Sequence, residues 1–359
     1  MCDLLCALGP ATEGGVTLFA KNSDRPPAEA QALEWNPPRR EAVTRTTYLE
    51  LPGPASPTLG FLGFRPTWMW GVEQGVNEAG VAAGNATIYT TLDPRPFPDA
   101  LTGMDLVRLA LERATSAADA VEVVTDLLER HGQGGSGHAG ERRPYWSSFL
   151  LADPGRAFVV ETSGTTWGAE EVGTVRAISN RTTIAAFDAE HRHPRQPVEV
   201  LVDPRLDAGR GCLAAPPVSA AGLRRHLGSH VGGDDGWTVC MHVDGVEATT
   251  ASMVVRLPES SAGPPVAWCL LGSPCTSVYV PMVVGHPLGP VPAWERFAAL
   301  APAARSRLDA LEAELDAGVG GAASARADWN ASAWARVADV LDTVDTVAAG
   351  GIRAGRVRY

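Results

Sequence analysis

Lysine is almost missing from this 359-residue chain: of 30 basic residues all but one are arginine, and Lys21 is the exception. An arginine bias explains the majority but not the survivor, since a compact, mobile ammonium does what a planar guanidinium cannot do everywhere. Positive charge is also scarce overall. A net charge of −11 and a pI near 5.2 argue against nucleic acid or an anionic membrane as partner. No apolar run approaches the ~20 residues of a membrane-spanning helix. No N-terminal stretch joins basic residues to a long apolar segment, so a secretory signal is not expected and a cytoplasmic location is. The six cysteines (Cys2, Cys6, Cys212, Cys240, Cys269 and Cys275) include no zinc-like CxxC pair, so reduced and mostly buried thiols are expected, with neither metal nor cofactor. His191-Arg-His193 has no carboxylate or third ligand at useful spacing and reads as a solvated loop. No internal repeat is present.

Hydrophobic residues make up 45% of the chain and charged residues 20%. That composition is globular, and the length suits one large domain or two ordinary ones. Residues 2–8 and 15–20 are short apolar runs separated by Gly9-Pro10 and Gly14-Gly15, which predicts a hairpin. If Leu8 lies opposite Gly15, Cys2 falls opposite Lys21, beside Asn22-Ser-Asp-Arg25. Two more hairpins are predicted, at 70–76 with 81–88 and at 146–152 with 156–162. Further strands are predicted at 174–179, 251–257 and 267–271. Helices are predicted over 104–114, over 117–131 behind a Ser116-x-x-Asp119 capping box, and near 292–316 and 331–348. The Gly-rich segment 132–140 reads as a mobile loop and 186–236 as irregular. Many antiparallel strands with grouped helices indicate an α+β protein, helices layered on sheets.

Cys2 carries the chemical signal. Removing Met1, as is usual before a small second residue, would leave a cysteine bearing its own α-amine. The thiol titrates near ~8.5 and the amine near ~8, so one residue would hold nucleophile and base. Around it, Lys21 or Arg25 can bind a substrate carboxylate or hold Cys2 as thiolate. Asp24 is suited to orient the new ammonium, and Asn85 and Asn180 are candidate oxyanion donors. Asn22, Trp70 and Arg181 are expected to contact substrate. Cys6 has no free amine and reads as buried packing.

Met1-Cys-Asp followed by Phe19-Ala-Lys-Asn-Ser-Asp-Arg-Pro26 resembles the secernin and bacterial dipeptidase family, cysteine-type N-terminal nucleophile hydrolases. The likeness continues through Arg65-Pro-Thr-Trp-Met-Trp-Gly-Val-Glu-Gln-Gly-Val-Asn-Glu-Ala-Gly80, Gly103-Met-Asp-Leu-Val-Arg-Leu-Ala-Leu-Glu-Arg113 and Glu129-Arg-His-Gly-Gln-Gly-Gly135. Val160-Glu-Thr-Ser-Gly-Thr-Thr-Trp167, Thr249-Thr-Ala-Ser-Met253 and Gly272-Ser-Pro-Cys-Thr-Ser277 extend it over most of residues 2–282. The resemblance implies a four-layer αββα sandwich with two stacked antiparallel sheets, and hydrolysis of amides through an acyl-cysteine. It implies Cys2 as nucleophile, Lys21 and Asp24 at the end of the second strand, and Asn85 and Asn180 at the oxyanion or substrate. On this reading 2–290 form the catalytic domain and 291–359 a helical extension, whose helices offer a surface for a homo-oligomer. The substrate would be a dipeptide or another small molecule. An acylase or acyltransferase for a non-peptide amide, and a secernin-like non-hydrolytic role, are the alternatives. Only methionine removal would be needed to expose Cys2.

Overall fold

The first hairpin fixes the geometry of the N-terminus. In the computed structural model, which describes residues 1–344 apart from 141, 196, 302–303 and 322–325, β1 (Cys2–Ala7) pairs antiparallel with β2 (Thr17–Arg25). Cys2 lies opposite Ser23 and Leu4 opposite Lys21, two residues from the expected pairing. The cause is the connection. It consists of two single 3-10 turns, Gly9–Ala11 and Glu13–Gly15, in place of a tight turn, with Gly14 and Gly15 at φ 77° and 68°, where side chains are strained. Side chains alternate with a period of two, so a slip of two still leaves Cys2 and Lys21 on one face.

Next along the chain come β3 (Gln31–Asn36), a small ribbon of β4 (Val43–Arg45) and β5 (Glu50–Pro52), and β6 (Phe61–Pro66). The hairpins β7 (Gln74–Asn77) to β8 (Ala82–Ile88) and β9 (Trp146–Ala152) to β10 (Ala157–Ser163) turn where the sequence predicts. Between them stand α1 (Gly103–Arg113) and α2 (Ala117–His131). The full capping box belongs to α1, where Thr102 and Asp105 bond reciprocally. At α2, Ser116 caps Asp119 N, but the Asp119 carboxylate accepts from Thr115 instead.

β11 (Thr166–Glu171) and β12 (Val175–Ile178) follow, then the segment expected to be irregular, which holds α3 (Ala185–His191), α4 (Asp203–Leu213) and α5 (Ala220–Leu227). Pro, Gly and Arg mask the helical periodicity there, and packing on the sheet supplies what local propensity does not. The chain continues through β13 (His242–Val243), β14 (Glu247–Leu257), β15 (Val266–Leu271) and β16 (Val280–Val283) to α6 (Trp294–Ala298), α7 (Arg305–Gly321) and α8 (Arg326–Leu341). Positions 345–348 of the last expected helix lie outside the described residues.

The strands form two large antiparallel sheets, ordered β12-β1-β2-β14-β15-β16 with β13 on β14, and β11-β10-β9-β8-β7-β6-β3. Alternation sends Leu4, Cys6 and Phe19 of the first sheet against Leu62, Phe64, Val76 and Leu150 of the second. The opposite face of the first sheet, with Leu5, Leu18, Ala20 and Val254, is covered by Leu206 and Leu213 of α4 and Leu223 and Leu227 of α5. The opposite face of the second, with Ala83, Phe149 and Leu151, meets Leu106 and Leu111 of α1 and Val124 of α2. The four-layer αββα sandwich therefore follows from period-two strands between amphipathic helices. Each fully buried large apolar side chain contributes about 1.5–3 kcal/mol. From α6 to α8, Phe297, Leu308, Leu315, Trp334 and Val337 prolong the inter-sheet core. Among the described residues, no helix is long and apolar enough to cross a membrane.

Candidate active site

Strand ends converge at one edge of the sandwich. Cys2 opens β1, Asp24 and Arg25 close β2, Asn85 sits on β8, and Asn180 stands just past β12. All five line a cavity of about 780 Å³. Cys2 is 7% exposed. Its backbone N–H donates to Asn180 Oδ1 at 3.0 Å, while Asn180 Nδ2 donates to Thr87 O at 3.0 Å.

Lys21 lies behind Cys2, fully buried. Its Nζ donates to Cys2 Sγ at 3.3 Å, to Ser23 Oγ at 2.7 Å and to Asn22 O at 3.3 Å. Gly84 on the facing sheet makes room for it, because an added Cβ would stand 2.8 Å from Lys21 Cδ. Lys21 thus faces the sulfur and does not line the cavity, which removes it as a carboxylate-binding group. Arg25 does line the cavity, but its guanidinium is already matched by Glu29 at 2.5 Å, Glu73 at 3.4 Å and Gly137 O at 2.7 Å. That last bond ties the Gly-rich loop to the site, so 132–140 is irregular as expected but anchored.

Asp24 is buried, with Oδ1 accepting from Thr249 Oγ1 at 2.6 Å and, among the described residues, no partner on Oδ2. Burial, only partly offset by the N-terminal ammonium, pushes its carboxyl up to about 6. The Asn85 amide makes only long contacts, 3.4 Å to Ser147 Oγ and 3.5 Å to Met104 Sδ. His138 also lines the cavity, and burial together with the Arg25 charge lowers its imidazole to about 3, so it is neutral at pH 7. Cys6, four residues inward on the same face of β1, is fully buried and its thiol is pushed up to about 12 by burial.

Three expected substrate contacts are elsewhere. Asn22 alternates onto the opposite face of β2 and donates to Leu227 O and Val239 O. Trp70 lies in a separate groove, stacked under Arg108 at 4.2 Å. Arg181 points away into ion pairs with Asp203 and Asp188. For Asn22 and Arg181, adjacency in sequence to Lys21 and Asn180 says nothing of the direction the side chain takes.

Two residues without a sequence signal stand in the site. Glu247, at the start of β14, pairs with the Met1 ammonium inside the cavity. The same ammonium donates to Asp24 O at 3.0 Å, and burial lowers its pKa. Arg205, from the segment expected to be irregular, is 1% exposed. It donates to Asn180 Oδ1 at 3.0 Å and to Asp3 Oδ2 at 2.7 Å.

No protein-family profile matches the chain. Among solved structures it is similar to a variant of the conjugated bile acid hydrolase from Clostridium perfringens, at 13% identity, over 78% of this chain and 92% of that one, with a TM-score of 0.50. A second mutant of that hydrolase matches at 15% identity over 74% and 88%, with a TM-score of 0.48. A Caenorhabditis elegans N-acylethanolamine-hydrolyzing acid amidase ortholog matches at 12% identity over 73% and 96%, with a TM-score of 0.44. The likeness at a TM-score of 0.50 takes in most of the bile acid hydrolase, and with the two stacked sheets it gives this chain the fold of the N-terminal nucleophile hydrolases.

Proposed function

We propose that this protein hydrolyses amide bonds of dipeptides or small peptides through an acyl-enzyme on Cys2, once Met1 has been removed. The observation that carries this reading is the seat of Met1 itself. An α-ammonium joined by one residue to the Cys2 nitrogen rests on Glu247 and Asp24 O within the cavity. When Met1 leaves, that acidic recess is open to the ammonium of a free peptide.

In this mechanism the α-amine of Cys2 takes the thiol proton as Sγ bonds to the substrate carbonyl carbon. Asn180 Oδ1 accepts from that amine and orients it, and Lys21 Nζ faces the sulfur as negative charge forms on it. Asn85 Nδ2, held only loosely at rest, donates to the oxyanion. The amine then protonates the leaving nitrogen and the C–N bond breaks. Water attacks the thioester, releasing the acid and restoring the thiol. The two asparagines thereby divide the work: Asn180 serves the base and Asn85 the oxyanion.

A second reading is an acylase for a non-peptide amide, favoured by the substrate named for the bacterial fold relative, a conjugated bile acid. A panel of free dipeptides, N-acylated dipeptides and non-peptide amides, assayed on parent and Cys2→Ala proteins, decides the matter. Turnover of free dipeptides that vanishes in Cys2→Ala is expected. Undiminished turnover in that variant ends the proposal, and turnover confined to non-peptide amides replaces it with the acylase.

A further inference from the structure

We propose that His230, Cys240, His242 and Cys275 form a structural zinc site that clips together the two loops behind the wall of the cavity. The sequence gives no CxxC spacing, and no metal was expected from it. The fold nevertheless brings one donor atom from each of these four residues within 4.8 Å of all the others. His242 Nε2 lies 3.4 Å from Cys240 Sγ and 3.1 Å from Cys275 Sγ. A tetrahedral zinc with Zn–S about 2.3 Å and Zn–N about 2.0 Å holds its donors about 3.3–3.8 Å apart. These two nitrogen–sulfur separations already fall close to that.

Side-chain hydrogen bonds from Cys240, His242 and His230 converge on the Cys275 sulfur. One imidazole nitrogen faces two sulfurs, yet it has a single proton or a single lone pair to offer. A cation at the centre satisfies all four donors at once. Two thiolates and two neutral imidazoles around Zn²⁺ also carry no net charge, which suits a partly buried position. The donor set of two sulfurs and two nitrogens is that of closed, structural zinc, with no position left for substrate. Among the described residues no other group of three or more potential ligands gathers.

The consequence reaches the site. His230, Cys240 and His242 belong to the connection between α5 and β14, and Cys275 to the connection between β15 and β16. The first of these loops presents Trp237 to the cavity and offers Val239 O to Asn22. From it Met241 N donates to Thr249 Oγ1 at 2.9 Å, and Thr249 Oγ1 donates to Asp24. A metal at Cys240 therefore stiffens the hydrogen-bond chain that ends on Asp24.

The experiment is metal analysis of the full chain purified with reductant and without chelator. One equivalent of zinc per chain is expected. Replacement by Co²⁺ should give the thiolate-to-cobalt absorption and visible bands of a tetrahedral site. Cys240→Ser with Cys275→Ser should lose both. His230→Ala, at an exposed position, should keep the native circular dichroism spectrum yet release its metal to a chelator at least ~10-fold more readily. A metal-free protein that takes up no Co²⁺ overturns the proposal. So does zinc that survives the double cysteine substitution, and so does a Cys240–Cys275 disulfide in the peptide map of the protein isolated without added oxidant.

Discussion

Replacing Arg205 by methionine is the sharpest perturbation this structure offers. The guanidinium is wholly enclosed and holds Asp3 Oδ2 at 2.7 Å, Asn180 Oδ1 at 3.0 Å and Leu201 O at 3.0 Å. Methionine fills much of the same volume but leaves the Asp3 carboxylate in the interior with Ser179 Oγ, at 2.6 Å, as its one remaining side-chain donor in the cluster. Breaking a buried pair from one side costs about 3–5 kcal/mol, because the stranded charge has lost its hydration and its partner. Removing both charges is different. Asp3→Asn with Arg205→Met leaves no stranded ion, and a cost below about 2 kcal/mol is expected, so the cycle should show coupling of about 2 kcal/mol. Equilibrium unfolding in urea, monitored by tryptophan fluorescence, measures all four corners. An Arg205→Met protein within about 1 kcal/mol of the parent, or a strictly additive cycle, would refute this account of how the N-terminal strand is held.

Three other outcomes follow from the site. Glu247→Gln should raise KM for free dipeptides about 10- to 100-fold, the loss of one charged hydrogen bond of about 1.5–3 kcal/mol, and leave N-acylated substrates unchanged; equal effects on both would remove Glu247 as the ammonium site. Gly103→Ala would put a methyl 2.1 Å from Ser147 Oγ and 2.6 Å from Asn85 Nδ2, pushing aside both the amide and its hydroxyl neighbour, and should lower kcat about 100-fold with little change in KM, as expected for a displaced oxyanion donor; steady-state kinetics within about 3-fold of the parent would count against Asn85. For Asp24, a carboxyl raised to about 6 in the folded chain binds its proton more tightly folded than unfolded. Its contribution to stability is full below about pH 4 and lost as pH rises through about 6. Urea unfolding of the Met1-bearing chain from pH 4 to 7 should therefore show the parent losing stability relative to Asp24→Asn across that window, and a flat difference would contradict the burial of the carboxylate.

Much of this was legible from sequence because it rests on short-range chemistry. The hairpins at β7–β8 and β9–β10 announce themselves by turn residues between alternating runs, and α1 and α2 by period and caps. Cys2, Asp24, Arg25, Asn85 and Asn180 were singled out by residue type and place, and the fold brings all five to one cavity. What escaped depends on contacts remote in sequence. Arg205 sits 202 positions from Asp3, in a helix with a weak apolar stripe. Glu247 is an ordinary strand-end glutamate until the N-terminus is placed against it. Asn22 and Trp70 were misassigned because only the sheet face and the neighbouring layer separate a site residue from its neighbour, and neither can be read before the register is known.

The surviving lysine can now be explained physically. Among the described residues, the groups within hydrogen-bond reach of Lys21 Nζ are Cys2 Sγ, Ser23 Oγ and Asn22 O, and no carboxylate pairs with it. A buried ammonium without an anion is costly. The Cys2 sulfur stands 3.3 Å from this ammonium. Arginine would carry the same charge, but its planar fork is wider than an ammonium, and the stem of Lys21 already lies so close to β8 that a Cβ at position 84 would stand 2.8 Å from its Cδ. A guanidinium there would need acceptors in its own plane, and the site supplies one sulfur and one hydroxyl side chain. The narrow inter-sheet space directly behind Cys2 therefore suits lysine better than arginine at position 21.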